Sequence, residues 1–165
     1  MALPLQYHNF IIRAWQPHDR EAAAQVIAQV LAEYGLGWEP AGADQDVLDI
    51  ETHYHQTGGE FWVIESEDEI IGTAAYYPIS RGTQAVEIRK MYLVPGSRHQ
   101  GLGKFLLQQL ETRIQQRGFQ EIWIETASVL KTAIHLYEKS GYHPATGIET
   151  PRCDRVYRKS LNPLV

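Results

Sequence analysis

The chain has 165 residues, of which 44% are hydrophobic and 21% charged, and this suits one domain over residues 1–165 with a sizeable core. A formal net charge of −5 gives no overall attraction to nucleic acid or to an anionic membrane, so neither partner is expected. Cys153 is the only cysteine, which excludes an internal disulfide and fits a reducing compartment. Without a signal-like start or a bilayer-length apolar run, the sequence predicts a cytoplasmic protein.

The first half of the chain predicts one strand, two helices and a hairpin. Apolar runs indicate the strands, and hydrophobic residues at helical spacing indicate the helices. Asp19 is the expected N-cap of the first helix. The predicted elements are a strand at 10–15, a helix at 20–34, a shorter helix at 46–57, and paired strands at 61–65 and 70–77.

The second half alternates strands with helices. The predicted elements are a strand at 85–94, a helix at 102–116, a strand at 121–127, a helix at 132–139, and strand-like segments near 142–143 and 155–159. Combined with the first half, this order predicts an α/β protein in which helices flank a mixed sheet.

A glycine-bearing loop joins the strand at 85–94 to the helix that starts at Leu102. It contains the pattern R-x-x-G-x-G, formed by Arg98, Gly101 and Gly103, and Lys104 follows. The first turn of a helix has unpaired N–H groups and partial positive charge, and glycines let the backbone approach a bulky anion. The pattern therefore predicts a phosphate site; the alternative is a plain connection whose glycines only make turns.

This loop, the segment Ile-Arg-Lys-Met-Tyr-Leu-Val-Pro before it and the segment Ala-Ile-His-Leu-Tyr-Glu-Lys-Ser-Gly-Tyr at 133–142 together resemble the GNAT superfamily of N-acetyltransferases. The resemblance implies a central, mostly antiparallel mixed sheet, acetyl-CoA as cosubstrate and no metal. It implies that the main chain of Met91 and Leu93, at a bulge, pairs with the pantetheine arm and polarises the acetyl carbonyl. The cofactor-binding residues that it implies are Met91, Tyr92, Leu93, Arg98, His99, Gln100, Gly101, Leu102, Gly103 and Lys104.

Glu87 is the candidate general base. Acetyl transfer needs a neutral amine, yet a substrate ammonium with a pKa of ~10.4 is almost fully protonated at pH 7. Strict alternation gives Glu87 one strand face in common with Arg89, Met91 and Leu93, and partial burial is expected to raise its pKa. Several GNAT enzymes are similar in having a base glutamate at this offset, whereas others use a water chain. The alternative is a surface carboxylate paired with Arg89 or Lys90.

Tyr137 is the candidate general acid. In GNAT enzymes with a similar segment, the tyrosine that Tyr137 matches lies near the sulfur of CoA. A thiolate with a pKa of ~8.5 can accept a proton or a hydrogen bond from a phenol of ~10. The alternative is a helix tyrosine that only packs on the sheet. Leu130 stands where many relatives carry asparagine, so the CoA contact of that amide is not expected here.

The histidines and Cys153 form no recognisable metal pattern. His53 and His55 are two residues apart, which does not place them on one helix face, and H-E-x-x-H is absent. The side chain of His99, within the loop, is expected to face solvent. The family builds its acceptor site from the first two helices, their connection and the last hairpin. Aromatic and acidic groups there suit a cationic amine; the candidates are Tyr34, Trp38, Glu39, Tyr54, Tyr77, Arg152 and Asp154.

Two functions follow from the resemblance. The first is an acetyl-CoA-dependent N-acetyltransferase that acts on a primary amine of a small molecule, amino acid or peptide, by direct attack in a ternary complex. The second is a non-catalytic acyl-CoA-binding or sensing module, because a fold does not fix a function. Dimers are common in the family, so a homodimer is compatible with the resemblance.

Overall fold

Residues 2–162, which the computed structural model describes, contain a sheet of eight strands. The strands are β1 (Leu5–Tyr7), β2 (Phe10–Ala14), β3 (Glu60–Ser66), β4 (Glu69–Ile79), β5 (Ala85–Leu93), β6 (Glu121–Thr126), β7 (His143–Pro144) and β8 (Arg155–Ser160). Their spatial order is β1-β2-β3-β4-β5-β6-β8-β7. β5 and β6 run parallel and the other neighbours are antiparallel. The predicted mixed, mostly antiparallel sheet is confirmed.

Helices cover both faces of this sheet. They are α1 (Arg20–Glu33), α2 (Gln45–Leu48), α3 (Leu102–Gln116) and α4 (Lys131–Lys139), with 3₁₀ turns at Pro17–Asp19 and Pro95–Ser97 and a π-helical turn at Glu51–His55. α1, α2 and the π-helical turn pack on one face around Ile27 and Tyr54. α3 and α4 pack on the other face around Leu106 and Tyr137. No helix within residues 2–162 has the length and apolar character needed to cross a bilayer.

α3 forms over the predicted residues because its hydrophobic side chains recur at helical spacing. Leu102, Leu106, Leu110 and Ile114 are buried on one side of it, and this stripe attaches the helix to the sheet. The other long strands and helices lie within two residues of their predicted ends.

Two segments of the first half differ from the prediction. β1 precedes the run that was predicted as the first strand, and it pairs with β2 through a tight turn in which His8 has φ +52°. Three residues are too few for the alternation that marks a strand. The predicted helix over 46–57 is divided, because Asp49 leaves the helical region at ψ 66° and the chain resumes as the π-helical turn.

Asp19 lies at the start of α1 as predicted, but its carboxylate does not cap that helix. It accepts two hydrogen bonds from Arg13, of 2.8 and 2.9 Å, and one of 2.7 Å from the Gln16 N–H. The buried carboxylate therefore ties β2 to the 3₁₀ turn instead of binding the first N–H groups of α1.

A β-bulge in β5 interrupts the pairing of this strand with β4 at the centre of the sheet. Arg89 lies opposite Ala75 and Tyr92 lies opposite Thr73, so β5 has one extra residue in between. Lys90 takes φ +52° there, and its carbonyl accepts a 2.6 Å hydrogen bond from the Thr73 hydroxyl. β5 pairs with β6 only as far as Ile88, whereas β6 continues beside β8. The two parallel strands therefore diverge.

Candidate active site

A cleft opens where β5 and β6 diverge. Its walls come from both strands, the start of α3, α4, the end of α1 and the loop before β8. The predicted catalytic and cofactor-binding residues that line this cleft are Glu87, Met91, Tyr92, Leu93, Arg98, Gly103 and Tyr137. Beyond Ile88, the edge of β5 that faces β6 has no strand partner among residues 2–162. Apart from the Leu93 carbonyl, which accepts a hydrogen bond from Arg98 Nε, the main-chain groups of this edge are therefore available to a ligand.

The glycine loop presents the first turn of α3 at one end of the cleft. Gly101 is the N-cap residue, with φ +81°, and its carbonyl accepts a 3.0 Å hydrogen bond from the Phe105 N–H. This is the first hydrogen bond of the helix, so the N–H groups of residues 102–104 have no acceptor carbonyl within α3. An added Cβ at Gly103 would meet the Leu136 and Leu93 side chains at 3.7 and 3.8 Å. Packing alone therefore does not require glycine at this position.

Fewer charged and polar side chains of the loop line the cleft than the sequence suggested. Arg98 is held by Glu33, with hydrogen bonds of 2.6 and 2.7 Å, and its Nε donates to the Leu93 carbonyl at 3.0 Å. The exposed side chains of His99, Gln100 and Lys104 are not among the cleft-lining groups. Gly101 and Leu102 do not line the cleft either, so Arg98 and Gly103 are the residues of this loop and helix start that do.

Glu87 combines burial with a close ion pair. Its exposed fraction is 4%, and Arg89 donates to it at 2.8 Å. Burial raises the pKa of Glu87 above its usual range, although the nearby positive charge of Arg89 opposes the shift. Burial excludes the alternative that Glu87 is a surface carboxylate. The pairing with Arg89, which that alternative also predicted, is present.

The prediction that Glu87 shares a strand face with Met91 and Leu93 is wrong. Met91 and Leu93 pack with the cluster under α3, whereas Tyr92 packs with the cluster under α1. The extra residue at Lys90 shifts the alternation by one position, so every side chain after it changes face. Glu87 therefore faces the α1 side of β5, and Met91 and Leu93 face the α3 side.

Tyr137 lies on the α3 side of the cleft. The residue is buried, and burial raises the pKa of its phenol above the usual range, helped by Tyr92 and Cys153. No group among residues 2–162 hydrogen-bonds its hydroxyl. At neutral pH the phenol is therefore protonated and has a hydrogen bond to donate.

A buried ion network, which the sequence did not reveal, joins the bulge to the connection between α1 and α2. The Nζ of Lys90 lies 3.1 Å from Asp44, 3.3 Å from Asp46 and 2.9 Å from the Ala43 carbonyl. Arg152, from the loop before β8, binds both oxygens of Asp44 at 2.6 and 2.7 Å. Three segments that surround the cleft are thus fixed to one carboxylate.

Asp44 is the group in this network whose loss we expect to cost most stability. Burial opposes its ionisation, but the Arg152 hydrogen bonds and the Lys90 charge outweigh this and hold the pKa of Asp44 below its usual range. Asp44→Asn should lower the free energy of unfolding by about 3 kcal/mol at pH 7, because buried cations lose their partner. Urea denaturation measures this loss.

The pH dependence follows from the lowered pKa of Asp44. A carboxylate of this kind stabilises the fold above its unfolded pKa of ~3.9, and the contribution disappears as the pH falls through the lower folded value. The stability gap between wild type and Asp44→Asn should therefore narrow below about pH 4. Glu51→Gln, at the exposed 2.5 Å pair with Arg20, is the control and should have little effect. Equal losses in the two variants would contradict a special role for Asp44.

The residues predicted for the acceptor site are distributed differently. Tyr34 and Arg152 line the cleft, but Tyr54 is fully buried in the core, where its hydroxyl donates to Asp46. Asp154 accepts hydrogen bonds from the Ser128 N–H and hydroxyl, so it fixes the end of β6. The remaining candidates, Trp38, Glu39 and Tyr77, are absent from the cleft-lining groups.

Two further carboxylates converge beside Glu87. Oxygens of Glu87, Glu125 and Glu149 lie within 4.8 Å of one another, and the Arg81 guanidinium lies 2.9 Å from Glu125, 3.9 Å from Glu87 and 3.8 Å from Glu149. Glu125 also accepts the N–H groups of Glu149 and Thr150, each at 2.9 Å. Arg81 thus supplies positive charge between the acids, and we interpret the group as an ion network that holds the loop before β8. The acids come from separate elements, so no sequence spacing marks them.

Comparisons with known proteins agree with this architecture. The model of the Acetyltransferase (GNAT) family matches residues 25–142. The uncharacterized N-acetyltransferase YjgM of Escherichia coli K12 is 35% identical over 135 residues, which are 80% of this chain and 81% of that protein. A GNAT acetyltransferase structure from Staphylococcus aureus Mu50 has a TM-score of 0.86 at 19% identity, over 93% of this chain and 99% of that one. Spermidine N-acetyltransferase from Vibrio cholerae, solved with CoA and spermine, has a TM-score of 0.69 at 16% identity, over 93% and 96%.

The family model and the relatives define an acyltransferase. This chain belongs to the GNAT family of acetyltransferases. The family and the enzyme class predicted from the R-x-x-G-x-G loop and the segment around Tyr137 are both confirmed.

Proposed function

We propose that residues 1–165 form one N-acetyltransferase domain that moves the acetyl group of acetyl-CoA to a primary amine by direct attack in a ternary complex. The observation that carries the proposal is the cleft between β5 and β6, which has Glu87 on one side and Tyr137 on the other. A small molecule, an amino acid or a peptide can supply the amine. The solved complex of the Vibrio enzyme with CoA and spermine is consistent with an amine acceptor.

The start of α3 is the proposed site for the pyrophosphate of acetyl-CoA. Unpaired N–H groups and the positive end of the helix dipole favour an anion there. The edge of β5 at Met91 to Leu93 has no strand partner, and its main-chain groups other than the Leu93 carbonyl, which Arg98 binds, are suited to hydrogen bonds with the amide groups of the pantetheine arm. Arg98 can add its charge to the phosphates only if it leaves Glu33, so we assign the main role to the backbone.

Glu87 and Tyr137 are the proposed catalytic groups. Glu87 takes a proton from the acceptor ammonium, directly or through water, and the neutral nitrogen attacks the thioester carbonyl. The carbon–sulfur bond then breaks, and Tyr137 donates a hydrogen bond or a proton to the departing thiolate. After attack the nitrogen is cationic and loses its second proton, which passes to the thiolate or restores the Tyr137 phenol, while Glu87 releases the first proton to solvent. The products are the amide, CoA and one proton, and this route needs no metal.

Gly103→Asp tests the phosphate site. The variant adds a side chain and a negative charge beside the proposed pyrophosphate, so affinity for acetyl-CoA should fall at least tenfold, about 1.4 kcal/mol. A carboxylate in the first turn of a helix is favourable for folding, which separates lost binding from lost structure. Isothermal titration calorimetry measures the affinity.

Gly103→Ala is the matched control for Gly103→Asp. Its Cβ makes only ordinary contacts, so this variant should keep most of the affinity. If folded Gly103→Asp binds acetyl-CoA as tightly as wild type does, the pyrophosphate does not lie at this helix start.

Thioester turnover over a panel of amines tests the proposed activity. Release of free CoA that depends on one acceptor supports acetyl transfer. Tight binding of acetyl-CoA without turnover on any amine would instead support the non-catalytic binding module.

A further inference from the structure

Tyr7, in the strand that the sequence did not reveal, contacts the glycine loop from outside the cleft. Its hydroxyl donates a 2.9 Å hydrogen bond to the carbonyl of Gln100. Its ring stacks on Phe105 of α3, with ring centroids 4.6 Å apart. One side chain of β1 therefore touches both the residue before Gly101 and the first turn of the helix.

The hydrogen bond fixes the direction of a loop N–H group. A trans peptide is planar, so the carbonyl of Gln100 and the N–H of Gly101 point in opposite directions. Since Tyr7 holds the carbonyl on its own side, the Gly101 N–H points away from Tyr7. Rotation of this peptide would redirect the Gly101 N–H. It would also shift the start of α3, because Gly101 is the N-cap residue of that helix.

The Tyr7 hydroxyl also leaves no room for a side chain at position 101. Gly101 has φ +81°, and a Cβ built on it would lie 2.6 Å from the Tyr7 hydroxyl oxygen but 3.7 Å from the adjacent ring carbon Cζ. Glycine at this position is thus required by its left-handed backbone and also by the presence of the hydroxyl. The ring and the hydroxyl of Tyr7 have separable roles, because the ring packs on Phe105 and the hydroxyl contacts the loop.

We propose that Tyr7 is a positioning residue for the cosubstrate, which sets the Gln100–Gly101 peptide so that the loop presents its N–H groups to the pyrophosphate. The proposal rests on the proposed binding of acetyl-CoA at this loop. Tyr7 touches no reacting atom in this role. Its loss should therefore change the binding of acetyl-CoA and leave the chemical step intact.

Tyr7→Phe keeps the ring and removes the hydroxyl. The affinity for acetyl-CoA, measured by calorimetry, should fall about threefold to tenfold, which corresponds to one hydrogen bond. The KM for acetyl-CoA should rise by a similar factor while kcat at saturation is unchanged. Tyr76→Phe is the matched control, because its hydroxyl contacts Glu60 and Arg117 far from the loop; it should alter the melting temperature without altering the affinity.

A double-mutant cycle with Gly101→Ala tests the geometry without any ligand. The backbone strain at φ +81° is common to both backgrounds and cancels in the cycle. Gly101→Ala should therefore lower the melting temperature less in the Tyr7→Phe background than in wild type, because the hydroxyl is no longer in contact with the new Cβ. Equal losses in the two backgrounds would overturn the contact on which the proposal stands.

The outcomes separate this role from the proposed function. If wild type binds acetyl-CoA and Tyr7→Phe binds it equally well, the positioning role is wrong and the function stands. A fall in kcat with unchanged KM would also overturn positioning. If wild type binds no acetyl-CoA, the proposed function fails and the role of Tyr7 fails with it.

Discussion

Replacement of Glu87 by glutamine should lower turnover by roughly 10²–10⁴-fold while affinity for acetyl-CoA is retained. The amide has the size of the carboxylate but cannot accept the proton of an ammonium at neutral pH. Wild type should also lose activity as the pH falls through the pKa of Glu87. Since burial raises that pKa, the acidic limb should lie above the ~4.3 of an ordinary glutamate. In Glu87→Gln this limb should move or disappear.

Steady-state rates across a pH series, with acetyl-CoA affinity measured on the same preparation, decide the role of Glu87. Glu60→Gln is the matched control, because Glu60 is also a partly buried, paired carboxylate, held by Arg113 at 2.8 Å but outside the cleft. It should reduce stability and leave the pH–rate profile unchanged. A wild-type rate and profile in Glu87→Gln would make Glu87 a structural carboxylate and would favour the family's water-mediated route.

Local sequence patterns were sufficient for most of the sheet and for the loop. The stripe from Leu102 to Ile114 predicted α3 over its whole length, and the glycines predicted the turn before it. These features depend on interactions between residues that are close in the chain. Glu87 and Tyr137 became candidates through the resemblance to the family, and both line the cleft.

The features that the sequence did not reveal depend on contacts between distant segments. The bulge at Lys90 is stabilised by Asp44 and Asp46, more than forty residues away, and it changes the face of each side chain that follows. Arg98 matches the family pattern, yet its guanidinium is bound by Glu33 of α1. A short charged segment has no periodicity that reports such pairings, so the alternation of side chains along β5 was predicted correctly only up to the bulge.

Tyr137→Phe should lower kcat and kcat/KM together, by roughly 10–10³-fold, with little change in affinity for acetyl-CoA. The change removes a hydroxyl that has no partner among residues 2–162, so the free enzyme loses no hydrogen bond. Burial raises the pKa of this phenol, which makes complete proton transfer to a thiolate less favourable than donation of a hydrogen bond. We therefore expect the hydroxyl to act mainly on the charge that develops at sulfur.

An acyl donor with a more acidic leaving thiol tests this account of Tyr137, because such a thiolate needs less stabilisation and the effect of Tyr137→Phe should shrink. Tyr142→Phe is the matched control. Its ring lies 6.0 Å from that of Tyr137, but its hydroxyl donates to Glu111 at 2.8 Å outside the cleft. That variant should lower the melting temperature and keep kcat. If Tyr137→Phe behaves in the same way, with reduced stability and intact kcat, Tyr137 is a packing residue and the thiolate receives its proton from another donor.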